Sequence, residues 1–116
     1  MYNYYAKSKN KYHAQKQETA DGIVHDSRKE ARRWVELRLL QRSGLIRDLE
    51  RQVPFELIPP QDKERAVKYV ADFVYVDDKG IKHVEDVKSP ITRKNKEYII
   101  KRKLMRYIHG IKIEEV

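Results

Sequence analysis

The sequence predicts a mixed α/β domain with the element order αβββαβ, in which helices flank a central mixed sheet. Three patterns support this prediction. A capping signal at Ser27 opens a first helix, a β-hairpin spans 69–88, and a basic second helix ends at Gly110. With 116 residues, the chain is long enough for one domain with a substantial core and too short for two. We expect residues 16–116 to form that domain.

The composition excludes several classes of site and function. The chain contains no cysteine, so it has no disulfide, no thiolate zinc site and no cysteine nucleophile. No apolar run approaches the ~20 residues that a membrane helix needs, and no signal-peptide pattern opens the chain. The sequence is 40% hydrophobic and 38% charged, which is typical of a small globular domain with a heavily charged surface. We therefore expect a cytoplasmic protein with no membrane partner.

The net charge of +8 is concentrated in two basic segments, 1–17 and 88–106. Basic clusters of this kind are the electrostatic footprint of a protein that binds a polyanion. The simpler interpretation is a solvated charged face, but acids confined to a hairpin between two basic flanks favour nucleic acid. The candidate nucleic-acid contacts are Lys7, Lys9, Lys11, Arg93, Lys94 and Lys96.

Residues 1–15 show neither a period of two nor one of 3.6, and they are rich in lysine and tyrosine. We expect them to form a flexible N-terminal arm. Its tyrosines could stack on bases or grip a backbone when nucleic acid is bound. A disordered terminus, or one that packs on a partner subunit, explains the same pattern.

The first helix begins at a capping box. Ser27 is the expected N-cap, Glu30 follows three residues later, and Ser43-Gly44 provides the stop signal. Glu30 has two interpretations: a cap that folds back on the helix terminus, or a third carboxylate that reaches the hairpin acids. We expect these roles to compete for one side chain. The apolar side of this helix comprises Ala31, Trp34, Val35, Leu37, Leu39 and Leu40.

The remaining elements follow from alternation and from turn residues. The second helix is expected to run from Arg93 or Lys94 to His109. Its expected core face consists of Ile100, Leu104, Tyr107 and Ile108. The other expected elements are a short hairpin over 17–25, a strand interrupted by Pro54 over 49–58, and a terminal strand over 111–113.

The central hairpin decides which side chains can meet. Asp78-Lys79-Gly80 fits a three-residue loop in which the glycine adopts a positive φ. Cross-strand partners then have positions that sum to 158, so Asp72 lies opposite Asp86 and shares a face with it. Lys88 joins this face because strand side chains alternate with a period of two. A four-residue loop would instead pair Asp72 with Glu85.

The first strand of the hairpin is apolar on both sides, which places it inside a sheet. Strict alternation assigns its residues to two faces. One face holds Val70, Asp72, Val74 and Val76, and the other holds Tyr69, Ala71, Phe73 and Tyr75.

Two acids in an apolar strand pair are costly, because like charges repel and burial increases the cost. A hard divalent cation such as Mg²⁺ or Mn²⁺ between Asp72 and Asp86 would offset that repulsion. Lys88 beside such an ion could orient a water or stabilise charge on a phosphoryl oxygen. The alternative is an exposed hairpin whose acids are solvated and whose lysine is incidental.

The motif Asp72, thirteen residues, then Asp86-Val87-Lys88, within the order αβββαβ, resembles the PD-(D/E)xK nuclease superfamily. Two departures are that Ala71 rather than proline precedes the first acid, and that the second acid is aspartate. The chain also resembles small phage-borne proteins placed near junction-resolving and nicking endonucleases of that superfamily. The matching stretches are His25-Asp26-Ser27-Arg28-Lys29-Glu30-Ala31, Val70-Ala71-Asp72-Phe73 and Val84-Glu85-Asp86-Val87-Lys88.

The resemblance implies a restriction-endonuclease-like core and metal-dependent hydrolysis of DNA in a bacterial host cell. It implies that Glu30 joins Asp72 and Asp86 around the metal. Our mechanistic hypothesis adds the carbonyl of Val87 as a further ligand and Lys88 as a catalytic residue that positions the water or contacts the scissile phosphate. Shape-directed recognition of branched DNA by a homodimer follows as a hypothesis, because no segment indicates base readout. The alternatives are a non-catalytic DNA-binding protein with a nuclease fold, and a nuclease that acts on RNA.

Overall fold

The computed structural model describes residues 15–116, so Lys7, Lys9, Lys11 and all but the last residue of the predicted arm lie outside the described part. The strands are β1 (Gln17–Glu18), β2 (Val24–His25), β3 (Ile46–Ile58), β4 (Val67–Asp77), β5 (Lys82–Asp86) and β6 (Glu114–Glu115). The helices are α1 (Arg28–Arg42), α2 (Pro90–Arg93) and α3 (Lys96–His109). Apart from the small β1–β2 hairpin and the short α2, this is the predicted order αβββαβ.

The main sheet has the strand order β3-β4-β5-β6. The pairs β3–β4 and β4–β5 are antiparallel, and β6 returns parallel to β5 after the crossover through α2 and α3. The mixed sheet with flanking helices confirms the predicted α/β class. Within residues 15–116, no helix has the length and apolar character needed to cross a membrane.

The core consists of two clusters, one beneath each long helix. We call them the α1 cluster and the α3 cluster. The α1 cluster contains Trp34, Leu37, Ile46, Phe73 and Tyr75. The α3 cluster contains Leu57, Tyr69, Ala71, Val74, Val84, Tyr98, Met105 and Ile113.

The signals at both ends of α1 are confirmed. The Glu30 backbone N–H donates to Ser27 Oγ at 3.1 Å, and the chain leaves the helix through Ser43 and Gly44, whose φ is 85°. The positive φ explains the glycine. The buried side is narrower than expected, because Val35 and Leu39 are exposed.

The expected core face of the second helix is confirmed only at Leu104, which is half-buried against the α3 cluster. Tyr98 and Met105 are the buried residues of α3, whereas Ile100, Tyr107 and Ile108 are exposed. Burial of Tyr98 is possible because its hydroxyl donates to Glu115 at 2.5 Å, and hydropathy alone does not reveal such a partner. The helix also starts later than expected, since α2 is a separate turn and Asn95 caps α3. The terminal strand pairs at 114–115, beyond the expected 111–113.

The hairpin register is confirmed. Phe73 pairs with Glu85, and Val76 pairs with Lys82, so partner positions sum to 158 as predicted. The loop closes with the Gly80 N–H donating to the Asp77 carbonyl at 3.0 Å, and Gly80 has φ 80°. The register places Asp72 opposite Asp86, and β4 lies inside the sheet as expected.

The alternation predicted for β4 fails at one point. Tyr69 and Ala71 pack in the α3 cluster together with Val74, whereas Phe73 and Tyr75 pack in the α1 cluster. An uninterrupted strand would keep the four odd-numbered residues on one face. The strand therefore changes face between Ala71 and Phe73.

Gln52 on β3 marks the place of this change. It lies opposite Asp72, between the pairs Arg51–Phe73 and Val53–Ala71, and it adopts a left-handed φ of 54°. A left-handed residue interrupts the pleat of its own strand, so the irregularity in β3 and the change of face in β4 coincide at the level of Asp72. One consequence is that Val70, expected to flank the acids, is 46% exposed.

An ion pair fastens α1 to β5. The Arg33 guanidinium donates from Nε and Nη2 to the two carboxylate oxygens of Glu85, at 2.8 and 2.6 Å. Glu85 is 1% exposed, and the Tyr75 hydroxyl also donates to it. Burial raises the pKa of Tyr75, and the bond to Glu85 raises it further. The bidentate geometry holds the helix at one height above the sheet.

Replacing Arg33 with methionine should lower the free energy of unfolding by about 3 kcal/mol, because the buried Glu85 carboxylate loses its partner. Equilibrium urea unfolding measures this change. Arg32→Met, on the exposed side of the same helix, is the matched control and should shift stability only slightly. The double variant Arg33→Met with Glu85→Met should recover most of the loss. A loss below about 1 kcal/mol in the single variant would contradict this role.

Candidate functional site

The predicted acids meet at the C-terminal end of β5, beside the middle of β4. Asp72 Oδ2 accepts the Val87 backbone N–H at 2.8 Å, which ties the first acid to the strand that carries the second. Asp86 is 3% exposed, and the Asp72 carboxyl lies next to it. The pairing of Asp72 with Asp86, rather than with Glu85, follows from the three-residue loop.

Asp86 has two further partners. The Tyr69 hydroxyl donates to Asp86 Oδ2 at 2.5 Å, and Lys88 Nζ lies 3.1 Å from Asp86 Oδ1. The Lys88 ammonium also lies 4.3 Å from the ring centroid of Tyr98 on α3. Burial raises the pKa of Tyr69, and the neighbouring Asp86 raises it further, so Tyr69 remains a hydrogen-bond donor. Lys88 thus occupies the predicted face beside Asp86.

Glu30 lies in the first turn of α1 and is 4% exposed. Its Oε2 accepts the Asp26 backbone N–H at 3.3 Å, and its Oε1 accepts from Gln52 Nε2 at 3.2 Å. Glu30 therefore does not close a capping box on the Ser27 N–H, because one of its carboxylate oxygens faces Asp26 and the other faces Gln52. The helix start thereby positions Glu30 toward the hairpin acids.

Gln52 is a site residue that the sequence did not reveal. Its Nε2 lies 3.2 Å from Glu30 Oε1 and 3.4 Å from Asp72 Oδ1, so the amide bridges the helix acid and the strand acid. A non-glycine residue with a left-handed φ inside a strand is costly, and such strain clusters at functional sites. No local signal marks Gln52, since its position depends on the pairing of β3 with β4.

His25 is a second residue that sequence reasoning missed. It is fully buried, its Nδ1 lies 3.9 Å from Glu30 Oε1, and its Nε2 lies 3.3 Å from Thr19 Oγ1. Within residues 15–116, His25 Nδ1 has no hydrogen-bond partner. Burial lowers the pKa of His25, which favours the neutral imidazole. His25 ends the expected hairpin over 17–25, and nothing in the sequence pattern indicated that it would be buried.

The acids repel one another strongly. Burial raises the pKa of Asp72 to about 8, and the charges of Asp86 and Glu30 add to the effect. Burial likewise raises the pKa of Glu30, with the charge of Asp26 next in importance. Shifts of this size at carboxyl groups are typical of functional sites. A proton or a cation would relieve the repulsion.

The donor set fits a hard divalent cation by its chemistry, since Glu30, Asp72 and Asp86 supply carboxylate oxygens. The positions of these carboxylates do not yet form a complete metal site. Among the described residues, no group of three or more aspartate, glutamate, histidine or cysteine side chains is placed so that it could hold a metal ion. The Gln52 amide stands between two of the three acids. A cation would therefore require a rearrangement of these side chains.

The predicted basic contacts on the described part of the chain lie at the junction of α2 and α3. Arg93, Lys94 and Lys96 are all exposed there, around the Asn95 cap. At the other end of β5, the half-buried His83 lies between Asp77 and Glu114, away from Asp72 and Asp86.

The contribution of Asp72 to the free energy of unfolding should fall as the pH rises from about 4 to about 8, because folded Asp72 keeps a proton that the unfolded chain has released. One such proton corresponds to about 1.4 kcal/mol for each pH unit. Asp72→Asn removes the group and should flatten this decline. Urea unfolding at a series of pH values, with exposed Asp78→Asn as the matched control, measures it. Equal pH slopes for the wild type and Asp72→Asn would contradict the raised pKa.

Comparisons with known proteins identify a family but no relative of known function. No curated protein and no solved structure matches the chain. Residues 9–114 match the family described as "Protein of unknown function (DUF1064)". Because this match covers nearly the whole sequence, the chain belongs to the DUF1064 family.

Proposed function

We propose that this protein is a metal-dependent endonuclease that hydrolyses DNA phosphodiester bonds. One observation carries the proposal: the hairpin register brings Asp72 opposite Asp86, with Lys88 3.1 Å from Asp86 and Glu30 joined to Asp72 through Gln52. A structural role alone gives no reason to bury carboxylates that repel one another. A site that binds a divalent cation does give such a reason, because the cation needs several carboxylates close together.

The proposed ligands are Glu30, Asp72, Asp86 and the carbonyl of Val87. When bound, Mg²⁺ or Mn²⁺ would supply a water of lowered pKa and neutralise charge that develops on the phosphate. Lys88 would orient the attacking water or donate to a non-bridging phosphate oxygen. The aromatic ring of Tyr98 and the Asp86 carboxylate hold the Lys88 ammonium in place for either task.

Branched or junction DNA is the proposed substrate, in a phage-related process in the cytoplasm of a bacterial host. Exposed Arg93, Lys94 and Lys96 would contact flanking phosphates, and Lys7, Lys9 and Lys11 would do the same from outside the described part of the chain. Two active sites are needed to cut both strands of a branched duplex, so we propose a homodimer.

A second candidate function is a DNA-binding protein that does not cut. The Gln52 amide favours it, because this group already bridges Glu30 and Asp72 without a cation. Metal binding distinguishes the two proposals, since the basic surface would bind DNA in either case.

Cleavage of labelled DNA tests the activity directly. Linear duplex, flap, four-way junction and single strand are each incubated with Mg²⁺, Mn²⁺ or EDTA. The wild type should cut at least one substrate with a divalent cation, and Asp86→Asn should lose about 10²-fold or more in rate, because one ligand charge is removed. Asp78→Asn, on the exposed turn, is the matched control and should cut normally. Binding without cutting by the wild type in both metals would favour the second function.

Metal binding has a readout that is independent of cleavage. Mn²⁺ that binds the folded state alone should raise the melting temperature, by an amount that grows with its concentration. The rise should be seen for the wild type and Asp78→Asn and be absent for Asp72→Asn. A melting temperature that Mn²⁺ leaves unchanged in the wild type would reject the metal site.

A further inference from the structure

A basic groove lies between the second half of α3 and β6. Its volume is about 250 Å³, and it opens to solvent. The groove is lined by Arg102, Lys103, Arg106, Lys112, Ile113 and Glu115. Four of these six residues are cationic, and one is an acid. None of them was singled out as an individual contact from the sequence.

The cations of the groove are largely uncompensated. The carboxylate of Glu115 is already engaged by the Tyr98 hydroxyl and by Arg102 Nη1, at 2.5 and 3.1 Å. Lys103, Arg106 and Lys112 are exposed and form no salt bridge within residues 15–116. Cations held close together without acids repel one another, and an anion in the groove would relieve that repulsion.

The groove is continuous with the acid site. Glu115 on β6 pairs directly with Asp86 on β5, so about 4.8 Å, one strand spacing, separates their backbones. Both Lys88 and Arg102 lie over the ring of Tyr98, at 4.3 and 5.6 Å from its centroid. A line of positive charge therefore runs from the acids, across Tyr98, into the groove.

We propose that this groove binds a backbone phosphate of the same DNA strand that is cut beside Asp86 and Lys88. The Asp86–Glu115 pairing and the shared contact with Tyr98 place the groove beside the acid site, so one DNA strand can contact both. Arg106 and Lys112 supply the groove's phosphate contacts. The inference rests on the proposed function for the choice of DNA, and it places the strand along α3 rather than along α1.

A double variant that replaces two groove cations with neutral residues tests the groove. Arg106→Gln with Lys112→Gln removes two lining cations, and Arg42→Gln with Lys79→Gln removes two exposed cations on α1 and on the β4–β5 turn. Fluorescence anisotropy with a labelled duplex and a four-way junction, in EDTA at several salt concentrations, measures binding without cleavage. Circular dichroism establishes that all variants are folded.

The groove variant should bind DNA about tenfold or more weakly than the wild type. The slope of its log binding constant against log salt concentration should be shallower by about 2. The control variant should keep a slope and an affinity close to those of the wild type. Equal losses in the two variants, or no loss in the groove variant, would overturn the inference.

The design separates this inference from the nuclease proposal. A groove-dependent affinity in a protein that cuts nothing would support the groove and favour the non-cutting function. Normal cutting and binding by the groove variant would overturn the groove and leave the nuclease proposal in place. If the wild type binds neither the duplex nor the four-way junction in EDTA, the groove inference is also overturned, because the proposed phosphate contact needs no metal.

Discussion

The register of the β4–β5 hairpin is the constraint on which the candidate site depends. The Asp77 carboxylate accepts the N–H groups of Lys79 and Ile81 at 2.8 and 2.9 Å, and Gly80 closes the loop with a positive φ. The bond from His83 lowers the pKa of Asp77 to about 2, and the bond from Ile81 adds to it, so this acceptor stays ionised. A slip of one residue would turn Asp86 away from Asp72 and replace it with Glu85.

The site brings together Glu30, Asp72 and Asp86, whose carboxylate charges repel one another. Val87 N–H, the Tyr69 hydroxyl and Lys88 each contact one of the two strand carboxylates, which offsets part of the cost of burial. The pKa of Asp72 nevertheless remains near 8, so the contacts compensate only in part. This residual repulsion connects the stability of the fold to the proposed chemistry, since a bound cation would relieve it.

The two acids at the end of β5 have opposite roles. Glu85 faces α1 and is neutralised by Arg33, which fixes the helix on the sheet. Asp86 faces α3, accepts a hydrogen bond from the Tyr69 hydroxyl and forms an ion pair with Lys88. Because Arg33 follows Glu30 by about one helical turn, the same ion pair sets the height at which Glu30 reaches Gln52. The structural pair thus supports the geometry of the candidate site.

Local rules were sufficient for the α/β order, the Ser27 cap, the hairpin loop and the convergence of Asp72, Asp86 and Lys88, because each depends on residues close in the chain or on one turn. Tertiary contacts decided the rest. Tyr98 displaced Ile100 from the core because Glu115 satisfies its hydroxyl, and β4 changes face at the level where Gln52 of the paired strand has a left-handed φ. His25, Gln52 and the groove of Arg106 and Lys112 depend on pairings between distant segments, which hydrophobic periodicity does not encode.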